Sequence, residues 1–116
     1  MPNSNAEINV SVTFRHTEPT EALKSFVIEK LTQCVRKYVG YDTEVRAVLT
    51  VEKRDHIVEV QVHSKGFDAA AKAITEDLYS ATDKVVDALH AQLRKQKERL
   101  VDRSGKTSST SRAEAT

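Results

Sequence analysis

The feature that most limits how this chain can fold is the way its hydrophobic period changes along the sequence. Ile8, Val10, Val12 and Phe14 alternate with Asn9, Ser11, Thr13 and Arg15, the period of a strand with one buried face. Thr17-Glu18-Pro19-Thr20 breaks that pattern. Thr20 suits an N-cap, and Glu21 suits the positive end of a helix. Leu23, Phe26, Val27, Leu31, Cys34, Val35 and Tyr38 then recur at three- and four-residue steps, which predicts an amphipathic helix with Gly40 as its C′ stop.

The period returns to two in the middle of the chain. Val45, Ala47, Leu49 and Val51 alternate with Arg46, Val48, Thr50 and Glu52, and a turn is expected at Arg54-Asp55. Val58, Val60 and Val62 alternate with Glu59, Gln61 and His63, and Lys65-Gly66 marks the next turn. A weaker strand is expected from Phe67 to about Ile74, its inner face made of Ala69, Ala71 and Ala73, small enough to let a helix approach closely. Thr75 is the expected cap of a second helix, with Glu76 and Asp77 in its first turn. Its apolar stripe is Leu78, Ala81, Val85, Val86, Leu89, Leu93 and Leu100. The order is strand, helix, three strands, helix. This predicts an α+β, two-layer β-α-β-β-β-α sandwich, with two helices on one face of a four-stranded sheet. A right-handed crossover makes the first two strands parallel, and the last three form an antiparallel meander.

A chain of 116 residues is the size of one domain. Without Trp, and with three Phe and three Tyr, its core must be aliphatic. The domain is placed at residues 1–103. Residues 104–116 are Gly, Ser, Thr and charge, the composition of a disordered tail. Cys34 is the single cysteine, so no internal disulfide can form and a reducing compartment is expected. The N-terminal MPNSNAEINVS has neither the basic nor the apolar part of a secretory signal, and no apolar run approaches a spanning helix. A cytoplasmic location is expected.

The sequence offers no catalytic or metal-binding pattern. Only three glycines occur, there is no HExxH, and no cysteines are paired. Cys34 lies on the apolar stripe of the first helix, where a thiol is a core residue. His16, His56, His63 and His90 lack ligand spacing; His56 and His63 could lie on neighbouring strands, but zinc needs more ligands than two. No enzyme activity, metal, cofactor or small-molecule substrate is expected.

Charge is distributed unevenly. Residues 94–116 hold seven basic and three acidic side chains, a net of +4, whereas residues 1–93 hold eleven and fourteen, a net of −3. That asymmetry points to a polyanionic partner at the basic end, although cations at a helix C-terminus also answer its dipole. On the second helix His90, Arg94 and Lys97 share one face, and Lys84 and Lys95 share the next. Lys30 and Lys37 are seven residues apart on the first helix, with Lys24 further back. Two such helices side by side could form a cationic groove for phosphates, although Glu29, Asp83 and Asp87 lie on nearby faces.

Asp77-Leu78-Tyr79-Ser80-Ala81 and Leu89-His90-Ala91-Gln92-Leu93-Arg94-Lys95-Gln96-Lys97, joined to this element order, resemble the signature of the ribosome hibernation-promoting factor family. That family includes the ribosome-associated inhibitor and the sigma modulation proteins. Glu18, Thr20, Ala22-Leu23-Lys24, Phe26-Val27, Lys30-Leu31 and Val51-Glu52-Lys53 agree with it, and the resemblance spans Ile8 to Leu100. It implies a β-α-β-β-β-α fold similar to the double-stranded-RNA-binding domain. It further implies binding to the small subunit of the 70S ribosome, in the decoding channel where messenger RNA and the A- and P-site transfer RNAs sit. Translation is thereby blocked by occlusion during starvation or stationary phase.

Carried over residue by residue, Lys24, Lys30, Lys84, Lys95 and Lys97 match basic positions of the family, and Lys37, His90 and Arg94 complete the expected RNA-binding set. The sequence departs from the family at Ala88 and Ala91, where cations are usual, and at Gln33, which is frequently basic. Arg94 and His90 are candidates to compensate. The short C-terminal segment implies a short form without the second, dimerising domain, a monomer off the ribosome. Tyr79 has two readings, packing at the helix start or contact with RNA. The alternatives are a protein-interaction module using the exposed sheet face (Arg46, Thr50, Glu52, Glu59, Gln61), or a diverged relative with another RNA target.

Overall fold

The computed structural model describes residues 6–105, with side chains through Leu100. Its elements are β1 (Ile8–Arg15), α1 (Glu21–Tyr38), β2 (Thr43–Glu52), β3 (Asp55–Ser64), β4 (Phe67–Thr75) and α2 (Leu78–Gly105). The sheet runs β1-β2-β3-β4, with β1 parallel to β2 and the other neighbours antiparallel. Both helices pack on one face: α1 lies against β1, α2 against β3 and β4, and the two helices against each other. This is the α+β architecture expected from the periods. The expected tail lies, from Lys106 on, outside the described residues, and α2 itself continues to Gly105.

The inward row of each strand meets the inward stripe of each helix. Val45, Ala47 and Leu49 of β2, and Val58, Val60 and Val62 of β3, are at most 1% exposed, as are Val27, Leu31 and Val35 of α1 and Val85, Leu89 and Leu93 of α2. Burying each Val or Leu contributes about 1.5–3 kcal/mol, which is how a core without Trp holds the layers together. Ala69 of β4 is buried and Ala71 and Ala73 partly so, the small inner face expected of that strand. Among the described residues, three buried polar side chains each donate to a backbone carbonyl: Thr43 to that of Tyr41, Ser64 to that of Asp42, and Thr82 to that of Leu78.

Four local expectations are corrected. The β2–β3 turn is Lys53-Arg54, because Asp55 pairs with Glu52; Lys53 takes the left-handed φ of 57° that closes it. Gly40 stands at C′ as expected but without the positive φ of a glycine stop: the helix is capped by Val39 in extended backbone, whose N–H reaches the Val35 carbonyl. Thr75 does not cap α2, since it still pairs with His56 as the last residue of β4. The cap is Asp77, whose carboxylate accepts from the Ser80 N–H at 2.8 Å and the Ser80 hydroxyl at 2.9 Å; Glu76 and Asp77 therefore precede the first turn. His56 and His63 share strand β3, not neighbouring strands, and they face opposite sides of it.

Thr20 caps α1 as expected, accepting from the Leu23 N–H at 3.2 Å. At the other cap, the Ser80 backbone and hydroxyl donors hold the Asp77 carboxyl below the usual carboxylate range. A depressed carboxylate stabilises the fold above its unfolded value, about pH 4, and that stability is lost as pH falls through the lower folded value. Asp77→Asn keeps an acceptor for the Ser80 N–H but has no charge to lose. Its thermal midpoint, followed by circular dichroism, should therefore fall less steeply below about pH 4 than that of the unsubstituted protein.

Candidate nucleic-acid interface

Helices α1 and α2 run the same way and are braced by two ring contacts. Near their starts, the rings of Phe26 and Tyr79 meet edge to face at 4.8 Å. Near the end of α1, the Tyr38 hydroxyl lies 3.0 Å from Nδ1 of His90, and their rings meet edge to face at 5.5 Å. These braces are eleven or twelve residues apart, so the groove between them is about 17 Å long at the helical rise. A lysine sits beside each brace: Lys30 Nζ is 5.6 Å from the Phe26 ring, and Lys37 Nζ is 5.8 Å from that of Tyr38.

The groove is lined by Lys30, Gln33, Cys34 and Lys37 from α1 and by Asp83, Val86, Asp87 and His90 from α2. Helical spacing continues the α2 wall through Arg94 and Lys97, so along it the charge changes from acidic at Asp83 and Asp87 to basic at Arg94 and Lys97. Lys84 and Lys95 lie on the adjoining crest with Ala88 and Ala91 between them, all four exposed. Of the expected set, Lys30, Lys37 and His90 are thus brought together in the groove, Arg94 and Lys97 extend it, and Lys84 and Lys95 stand beside it. Lys24 is exposed on the first turns of α1, outside the groove lining.

Tyr79 packs at the start of α2, its ring bracing Phe26, while remaining 44% exposed. Cys34 forms the groove floor and is 2% exposed. Burial pushes its thiol up to about 11, with Lys37 lowering it and Asp87 raising it. Such a thiol is protonated at neutral pH and is not a nucleophile. Among the described residues no group of three or more His, Cys, Asp or Glu is arranged to hold a metal ion, and no helix is long and apolar enough to cross a membrane.

The two sides of the molecule differ in sign. Among the described side chains, the two helices expose nine cations (Lys24, Lys30, Arg36, Lys37, Lys84, Arg94, Lys95, Lys97, Arg99) against five carboxylates (Glu21, Glu29, Asp83, Asp87, Glu98). The open sheet face carries five carboxylates (Glu44, Glu52, Asp55, Glu59, Asp68) against three cations (Arg15, Arg46, Lys72). A polyanion is attracted to the first and repelled by the second.

Sequence reasoning did not find the two aromatic braces. It also missed Gln92 and Gln96, which use both ends of their amides. Gln92 accepts from the Ala70 N–H and donates to its carbonyl, at 3.1 and 2.7 Å, and Gln96 does the same with Asp68, at 2.9 and 2.8 Å. One helical turn between the glutamines matches two residues of strand, so α2 closes the outer edge of β4. This clamp fixes the half of α2 that presents Arg94, Lys95 and Lys97.

Residues 10–101 match the model of the family described as Sigma 54 modulation protein / S30EA ribosomal protein. The chain belongs to this family. It is 33% identical over 96 residues to the ribosome hibernation promoting factor of Azotobacter vinelandii, covering 83% of this chain and 89% of that one. It is 34% identical over 93 residues to the protein of that name from Escherichia coli K12, covering 80% and 97%. Among solved structures, the Thermus thermophilus protein Y N-terminal domain superposes with a TM-score of 0.68 at 26% identity, over 75% of this chain and 97% of that domain. A ribosomal subunit interface protein from Coxiella burnetii shares the fold, with a TM-score of 0.68 at 23% identity, over 78% and 98%. Such factors are binding proteins and not enzymes.

Proposed function

We propose that this chain is a cytoplasmic ribosome hibernation factor that lays its helical layer on ribosomal RNA of the small subunit. There it occludes the decoding channel, at the positions of messenger RNA and the A- and P-site transfer RNAs, and holds the idle ribosome inactive during starvation or stationary phase. The observation that carries this reading is the sign difference between the two faces, in a family whose relatives bear the hibernation-factor name. Lysines and arginines on long stems engage phosphates without reading bases, which suits a fixed RNA surface. The acidic end of the groove at Asp83 and Asp87 directs the phosphate contacts towards Lys37, His90, Arg94 and Lys97. No bond is made or broken; inhibition is steric.

Co-sedimentation of the protein with ribosomes on sucrose gradients, at low and high monovalent salt, tests this. The protein should travel with the small subunit and with intact ribosomes at low salt and be released as salt rises, since each phosphate contact contributes about 0.7–0.9 to the slope of log affinity against log salt. Arg94→Glu together with Lys97→Glu should weaken binding at least about tenfold. Protein that stays at the top of a low-salt gradient would overturn the proposal. A salt-tolerant protein partner would favour the open sheet face, where Ile74 is 53% exposed.

A further inference from the structure

The two edges of the sheet are finished differently. The outer edge of β4 is closed by the amides of Gln92 and Gln96. The outer edge of β1 has no strand or side-chain amide on it among the described residues. Natural edge strands are usually guarded by a lysine, a proline or a bulge, because bare N–H and C=O groups invite another strand. From Ile8 to Phe14 the edge carries no charge and no proline. On its helix side, Ile8, Val10, Val12 and Phe14 are only half-buried, so that apolar row ends unfinished.

The ladder decides which groups are free. The Glu7 carbonyl accepts from the Thr43 N–H at 2.8 Å, so Glu7 and every second residue after it turn their backbone groups to β2. In a parallel pair the alternate residues turn theirs away, and these are the four of the apolar row. An antiparallel partner must therefore set these residues opposite residues of the same kind. A second copy does so when the two β1 strands cross at Ser11. Ile8 then faces Phe14 of the second copy and Val10 faces its Val12, as hydrogen-bonded pairs, with their side chains on the helix side. At each end of the same register the exposed Glu7 meets the exposed Arg15 of the second copy. Opposite charges thus coincide with hydrogen-bond parity and with the apolar row.

We propose that the outer edge of β1 is a self-association surface that takes β1 of a second copy, antiparallel about Ser11, and joins the two sheets into one. The occupant is a second copy and not the chain's own C-terminal segment, because Lys106–Thr116 offers only Ala113 and Ala115 to an apolar row. One strand pairing buries less than roughly 1,200 Å², the range of weak complexes. The association is therefore reversible, and the dilute protein is monomeric.

Sedimentation equilibrium of the full chain from about 10 µM to about 1 mM, the span of weak affinities, reads this directly. The weight-average mass should rise from one chain towards two. Ser11→Lys sets two like charges on the axis from an exposed position and should weaken association up to about fivefold, with an unchanged thermal midpoint. Glu7→Arg should weaken it too, and Glu7→Arg combined with Arg15→Glu should restore it. A protein that remains monomeric at about 1 mM, or a dimer indifferent to Ser11→Lys and to the charge exchange, would overturn the proposal.

Discussion

Leu89→Ala should remove about 3–5 kcal/mol of stability, among the largest losses expected from a single truncation on α2. Leu89 is fully buried in the middle of the helix, within the cluster that joins both helices to the sheet. The lost transfer energy is compounded by a cavity, because the neighbouring valines are β-branched and cannot swing to fill it. A domain of this size is stable by about 5–15 kcal/mol in total, so the variant sits near the threshold of folding. In urea its midpoint should fall by about 1.5–5 M with the slope unchanged, for a slope of about 1–2 kcal/mol/M. Ile74→Ala is the matched control: a similar side chain on the open face, 53% exposed, it should cost less than about 1 kcal/mol. Equal losses at the two positions would contradict the assignment of helices to one face only.

That contrast between faces was legible in the sequence, because the alternation over Ile8–Arg15, Val45–Glu52 and Val58–His63 encodes directly which side of each strand is covered. The parallel pairing of β1 with β2 followed from a helix standing between them. What local pattern could not supply was anything set by partners distant in sequence. Thr75 looks like a helix cap, yet its place opposite His56 keeps it in the sheet, and the role passes to Asp77. Lys53 gives no hint of a left-handed turn, because hairpin closure between Glu52 and Asp55 imposes that conformation from outside. Phe26 and Tyr38 read as ordinary members of an apolar stripe; their partners Tyr79 and His90 lie some fifty residues away. Gln92 and Gln96 look like solvated helix positions until the register of α2 on β4 is known. Of the candidate interface, the sequence supplied the cations and their helical faces. The gradient from Asp83 to Lys97 and the separation of Lys24 from the groove needed the packing.

The same packing makes a test of the crest possible. Ala88→Lys combined with Ala91→Lys should tighten ribosome binding by tenfold or more at low salt and steepen its salt dependence by about 1.4–1.8 in slope, two phosphate contacts' worth. Both alanines are exposed and stand between Lys84 and Lys95. The helix tolerates the change: Ala to Lys costs a few tenths of a kcal/mol in propensity. Lysine at position 91 gains Asp87 one turn earlier but meets Lys95 one turn later, and lysine at position 88 meets both Lys84 and the new lysine at 91, so like-charge pairs outnumber the attraction and cost about 1 kcal/mol. The thermal midpoint should therefore fall by a few degrees while ribosome binding tightens, and the opposite directions separate a binding effect from a folding one. If affinity and slope both rise, the crest faces phosphate and the present alanines hold the natural affinity below what the surface could reach. If neither changes while Arg94→Glu with Lys97→Glu still abolishes binding, contact is confined to the basic end of the groove. The two alanines then mark a bound orientation tilted towards Lys37 and His90, away from the crest.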